Sequence, residues 1–197
     1  MINHSVEEVF SLQSLLSTFS TRGEYQLKAK TIDSPLGSMI AIADHEKLYF
    51  LSYSDQPNLA KEIQTIAKKN RATIQAGQSS VIDSIEDELK KYFSGQLSTF
   101  ETPIHCVGTD FQHKAWQALK DIPFGQTRSY QEQAKAIGNE KAFRAVANAN
   151  GANHLTIVLP CHRIINHNGK LGGYKNGLDR KSWLLQHEKK TLTTAFS

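Results

Sequence analysis

The sequence predicts an α+β fold of two small domains: an N-terminal α/β domain with a short antiparallel sheet, then a helical domain of winged helix-turn-helix type. Three observations predict it. Strand-like stretches gather in the first half of the chain. The segment SGQLSTFETP concentrates Gly, Ser, Thr and Pro and suits a boundary near 97–107. Beyond it, paired capping signatures announce helices. With 197 residues the chain suits one large or two small domains, and 39% hydrophobic with 21% charged residues suits a packed core rather than disorder. The expected division is a helical extension over 1–22, an α/β domain over 23–107 and a second domain over 108–197. No apolar run approaches the roughly 20 residues of a bilayer span. The start, MINHSVEEVF, is acidic where a secretory signal is basic, so a cytoplasmic protein is expected.

Taken in order, residues 5–19 place Val6, Val9, Phe10, Leu16 and Phe19 near helical spacing. YQLKAKTI, SMIAIAD and KLYFLSYS read as three strands, the last two joined by a turn at Asp44-His45-Glu46. Residues 58–69 and 80–94 read as helices flanking a short strand, ATIQA. In the second half, Thr109-x-x-Gln112 opens a helix that Pro123 and Gly125 stop. Ser129-x-x-Glu132 opens another, SYQEQAKAI, which Gly138 and Asn139 break before EKAFRAVANAN begins a third.

Two helices joined by a short glycine-containing turn form a helix-turn-helix candidate, although helical hairpins that bind nothing share the pattern. On the third helix Phe143, Val146 and Ala147 are expected to pack inward. Lys141, Arg144, Ala145 and Asn148 share the other face, with cations and small side chains that would let a groove approach closely. Charge points the same way. From Gly108 onward there are 13 Lys and Arg against 6 Asp and Glu, whereas the preceding residues carry 10 against 13. A basic half suits a polyanion such as DNA, and a merely solvated basic surface would give the same count.

The chemistry-bearing stretch is LTIVLPCHRII at 155–165. LTIV reads as a buried strand that Pro160 ends, delivering Cys161 and His162 side by side. Cys106 reads as a small buried hydrophobe. Two cysteines, neither in a CxxC pair, fit neither a disulfide framework nor a zinc site. A reactive cysteine must reach its thiolate, and burial alone opposes that. The thiol therefore needs a proton acceptor, and His162 is expected to keep it anionic. A third group usually orients such a histidine. Glu188 lies three and four positions after Leu185 and Leu184 in the last helix, so it either faces the core beside His162 or frays into water.

PCHRII after an apolar run resembles the active-site signature of the methylated-DNA–protein-cysteine methyltransferases, which repair 6-O-methylguanine. The likeness extends from FQHKAWQALKDIPFGQTRSYQEQAKAIGNEKAFRAVANANGANHLTIVLPCHRII to GGYKNGLDRKSWLLQHE, over about 108–188. Its tail is similar to the bacterial adaptive-response type, while the first half fits only loosely. The resemblance implies that Cys161 accepts the alkyl group, activated through a water by His162, which Glu188 orients, with Asn153 bracing the turn between the recognition helix and the active-site strand. It implies that Arg144 replaces the flipped nucleotide and that Tyr130 crowds its phosphate and contacts the base. Lys141, Ala145 and Asn148 would face DNA, docked in the minor groove. Tyr130, Ile164, Tyr174 and Lys175 would form the base pocket. The implied partner is double-stranded DNA containing alkylated guanine, met by a monomer without cofactor or metal, in one stoichiometric event. A lesion-binding module that transfers nothing and a cysteine hydrolase are the alternatives.

Overall fold

The computed structural model describes residues 12–17, 23 and 25–195. The chain divides into two compact units, residues 1–91 with 100–107 and residues 92–99 with 108–197. Of the helix expected over 5–19, residues 12–17 are helical, and the remainder lies outside the described residues.

In the first unit three antiparallel strands form as the alternation suggests: β1 (Tyr25–Ile32), β2 (Met39–Ala43) and β3 (Leu48–Tyr53). Asp44 closes the turn between the last two, its Oδ1 accepting from the N–H groups of Glu46 and Lys47, each at 2.7 Å. Helix α1 (Leu59–Lys69) then crosses over, so that β4 (Ala72–Ala76) joins the free edge of β1 in parallel. The sheet is therefore mixed, in the order β3-β2-β1-β4. Its core includes Leu27, Ile42 and Phe50 with Ile63 and Ile66 of α1, joined by Leu12 and Leu16. Helix α2 (Ser80–Phe93) follows.

The second unit begins as its capping signatures dictate. Thr109 Oγ1 accepts from Gln112 N–H while Gln112 Oε1 accepts from Thr109 N–H, and α3 spans Asp110–Lys120. Ser129 and Glu132 repeat the exchange at the start of α4 (Tyr130–Ala136). A turn containing Gly138, with φ of 74°, and a 3-10 turn over Glu140–Ala142 lead into α5 (Phe143–Gly151). The pair is locked from inside. Gln133 and Asn150 exchange amide hydrogen bonds of 3.0 and 2.7 Å, Gln133 also donates to Ala115 O, and Trp116 Nε1–H donates to Ala149 O at 2.8 Å.

Two expectations need correction. LTIV is not a strand: it forms a tight turn with an isolated bridge between Thr156 and Leu159, and Ile157 sits at φ 73°. Leu155 and Ile157 are buried as foreseen and Val158 is half-buried, but they pack around a turn, and periodicity cannot tell the two apart. Phe143 faces outward, 39% exposed, because it stands at the first position of α5, where Val146 already occupies the inner face.

Two short parallel strands, β5 (Arg128–Ser129) and β6 (Ile164–Ile165), pair Arg128 with Ile164 and Ser129 with Ile165. Tyr130 follows one strand and the 3-10 turn Cys161–Arg163 precedes the other, so this pairing sets the tyrosine beside the cysteine turn. Helix α6 (Leu178–Ala195) closes the unit. Among the described residues no helix is long and apolar enough to cross a membrane.

Candidate active site

Pro160 ends the turn before Cys161, whose own N–H donates to Leu159 O at 2.8 Å. Asn153 braces this bend. Its Nδ2 donates to Leu159 O at 2.9 Å and to Cys161 Sγ at 3.2 Å, and its Oδ1 accepts from Leu155 N–H. Burial pushes the Cys161 thiol above its usual range, against the Asn153 donor and the nearby charges of Lys175 and Lys181. The expectation of a standing thiolate is thus corrected: at neutral pH the sulfur rests as a thiol, and reaction requires its proton to leave.

Behind it lies a fully buried polar cluster. His162 Nε2 is 2.8 Å from Glu188 Oε1, and both side chains are wholly enclosed. Glu188 also accepts from Tyr92 O–H at 2.8 Å, from Gly125 N–H at 2.8 Å and from the Arg163 guanidinium at 2.9–3.2 Å. Burial drives this carboxyl upward, but the His162 and Arg163 donors outweigh it and bring it down to about 2. Burial holds the His162 imidazole below its ordinary value despite Glu188, so it is neutral at pH 7. An ionised carboxylate only accepts, so Nε2 must carry the proton. Nδ1 is then a lone pair, and it is buried without a hydrogen-bond partner among the described residues. Such a lone pair is able to accept a proton.

Cys161 opens onto a cavity of about 480 Å³ lined, among others, by Tyr130, Arg144, Asn148, Tyr174 and Lys175. This lies within the roughly 300–1,000 Å³ of small-molecule sites. One wall is the loop before α6, held by a set of tethers. Lys175 Nζ donates to Asn153 O at 2.6 Å, Tyr130 O–H donates to Gly173 O at 3.4 Å, and Asn176 Nδ2 donates to Thr156 Oγ1 at 3.0 Å. The fully buried Lys181 donates to the carbonyls of Ile164, Gly172 and Gly173, and burial lowers its pKa to about 8 against the pull of the Cys161 sulfur. A Cβ at Gly172 would stand 2.7 Å from the Tyr130 ring, so any side chain there would have to displace the tyrosine.

Cys161, Tyr130, Arg144, Asn148, Tyr174 and Lys175 therefore meet at one cavity, with Asn153 hydrogen-bonded to the sulfur and His162, next in sequence, buried against Glu188. Ala145 and Lys141 are exposed on the α5 side, Lys141 lining a neighbouring cleft. Ile164 is fully buried in β6 and does not line the cavity. Sequence reasoning missed Arg163, Tyr92 and Lys181. An arginine inside an apolar stretch was the available signal for the first, because a cation there needs a buried anion. Among the described residues no cluster of three His, Cys, Asp or Glu side chains is placed to hold a metal ion.

Fold and site together define a protein that sets a cysteine on the wall of a cavity beside a helix-turn-helix pair. Residues 110–190 match the DNA-binding domain of the 6-O-methylguanine DNA methyltransferases, and residues 27–106 match their ribonuclease-like domain. A methylated-DNA–protein-cysteine methyltransferase of Methanosarcina acetivorans is 38% identical over 156 residues, covering 79% of this chain and 94% of its own. That of Mycobacterium tuberculosis is 41% identical over 160 residues, covering 81% and 91%. A crystal structure of Mycobacterium tuberculosis OGT in complex with DNA superposes with a TM-score of 0.71 at 38% identity, over 84% of this chain and 94% of that one. The chain belongs to the family of methylated-DNA–protein-cysteine methyltransferases.

Proposed function

We propose that the protein extrudes 6-O-alkylguanine from double-stranded DNA and takes the alkyl group onto Cys161, once per molecule. The observation that supports this most strongly is the placement of one thiol. It opens into a base-sized cavity lined by Arg144 and Tyr130 of the helix pair, and the next residue in sequence, His162, is hydrogen-bonded to Glu188.

The protein meets DNA through the exposed Arg144, Ala145 and Asn148 of α5 and Lys141 of the 3-10 turn before it. The small Ala145 suits a minor groove, and a monomer suffices. An alkyl carbon within stacked DNA is out of reach, so the base must leave the helix at a cost of a few kcal/mol. Arg144 fills the space it leaves, and Tyr130 holds it beside Tyr174 and Lys175. The Cys161 proton passes, through a water, to His162 Nδ1, whose imidazolium the Glu188 carboxylate then stabilises. The thiolate attacks the alkyl carbon, an S–C bond forms, and the O–C bond breaks with its electron pair staying on the guanine oxygen. Guanine takes up one proton and returns to its keto form, its departing charge eased by donors of the pocket. The product thioether offers no disulfide for a thiol to attack, so the protein is consumed.

Single-turnover transfer from DNA carrying a labelled 6-O-methyl group tests the assignment. Cys161→Ala should abolish transfer while the protein still binds the duplex. Label accepted by that variant would place the acceptor elsewhere.

A further inference from the structure

Phe143 is the side chain that the site leaves unexplained. Its ring stands in solvent at the first turn of α5, next in sequence to Arg144, whose guanidinium carbon lies 5.7 Å from the ring centre. With Asn166 it lines two cavities at once: the one onto which Cys161 opens, and a neighbouring cleft of about 780 Å³. Arg128, Lys135, Lys141 and His167 line that second cleft with Glu132 and Glu140, and Glu132 is occupied in the cap of α4. Lone exposed apolar side chains are common on protein surfaces and call for no account. This one is different in its setting, since it forms the ridge between the thiol cavity and a cation-bearing groove.

We propose that Phe143 stacks on the nucleobase flanking the extruded guanine and so works with Arg144 as a two-residue wedge. The inference rests on the reading of the protein as one that extrudes a guanine from DNA. Its chemistry is specific. A phenyl ring offers a flat apolar face and nothing for a phosphate, whereas every nucleobase has a face to stack on it. Cations along the adjoining cleft supply what the backbone of the same strand requires. An apolar side chain placed against a base step also offsets the unstacking that extrusion demands. The Arg144 guanidinium, 5.7 Å from the ring centre, is within cation–π range and so sets the two side chains side by side.

The test compares wild type, Phe143→Leu and Phe143→Ala on a 6-O-methylguanine duplex and on the free methylated base. Loss of one stacked base should lower the duplex-to-free-base rate ratio about tenfold for Phe143→Ala, with Phe143→Leu between the two. A 2-aminopurine flanking the lesion should stay dark on the wild-type protein and brighten on Phe143→Ala. An unchanged ratio, or equal brightness on both proteins, would overturn the stacking role. Wild-type protein that methylates Cys161 from neither substrate would instead sink the repair reading, while the fluorescence comparison would still judge the contact on its own.

Discussion

Glu188 holds its charge where water is excluded, and the stability of the site turns on that residue. Its carboxyl lies well below the ordinary value of 4.5, at about 2. The folded state therefore keeps the charge at pH values where the unfolded chain has already taken up a proton. The stabilisation is present above about pH 4.5 and is lost as pH falls toward 2. Glu188→Gln should remove this dependence from the acid limb of a stability–pH curve. It should also lower stability to urea at neutral pH by about 3–5 kcal/mol, because Arg163 would be left as a buried cation without its anion. A variant as stable as wild type at pH 7 would mean that the cluster does not hold this unit together. Cys161 and His162 were legible from their adjacency, and Glu188 from its helical register. Arg163 and Tyr92 were not, because they become partners of Glu188 only where separate segments meet.

Among the elements, the starts of α3 and α4 were readable almost to the residue, since capping boxes are local and the two here form as written. Helix α5, which has no side-chain cap, begins at Phe143 after a 3-10 turn, where the sequence suggested a helix from Glu140. The segment LTIV shows the opposite case. Its burial was correct and its shape was not, because whether a buried apolar run extends or turns depends on what packs around it, here the bracing Asn153. The loop before α6 was named through Tyr174 and Lys175, yet its anchor Lys181 carried no local signal. That loop depends on close contact. Gly172→Ala would put a methyl group 2.7 Å from the Tyr130 ring and push the wall off the tyrosine. Misplacement of about 1 Å can cost a hundredfold in rate, so single-turnover transfer should fall by at least tenfold or so. Transfer at the wild-type rate would show that the loop and Tyr130 need not touch.

Over the whole molecule, charge and cavity belong to the same half of the chain. The 13 basic residues from Gly108 onward include the exposed Arg144 of α5 and Lys141 of the 3-10 turn before it, whereas the residues before Gly108 carry 10 basic against 13 acidic side chains. Binding through that face releases counterions, so affinity should fall linearly on a log–log plot against salt. Lys141→Ala should reduce that slope by about one while weakening all duplex sequences alike. A slope identical to wild type would remove Lys141 from the interface.

Mass spectrometry of the intact protein after mixing with a slight excess of 6-O-methylguanine duplex bears most directly on the central claim. The account predicts that each molecule gains one methyl group in place of one hydrogen, that the gain maps to the peptide containing Cys161, and that repair stops at one equivalent. Guanine restored beyond one equivalent, or a methyl group found on any other residue, would contradict it.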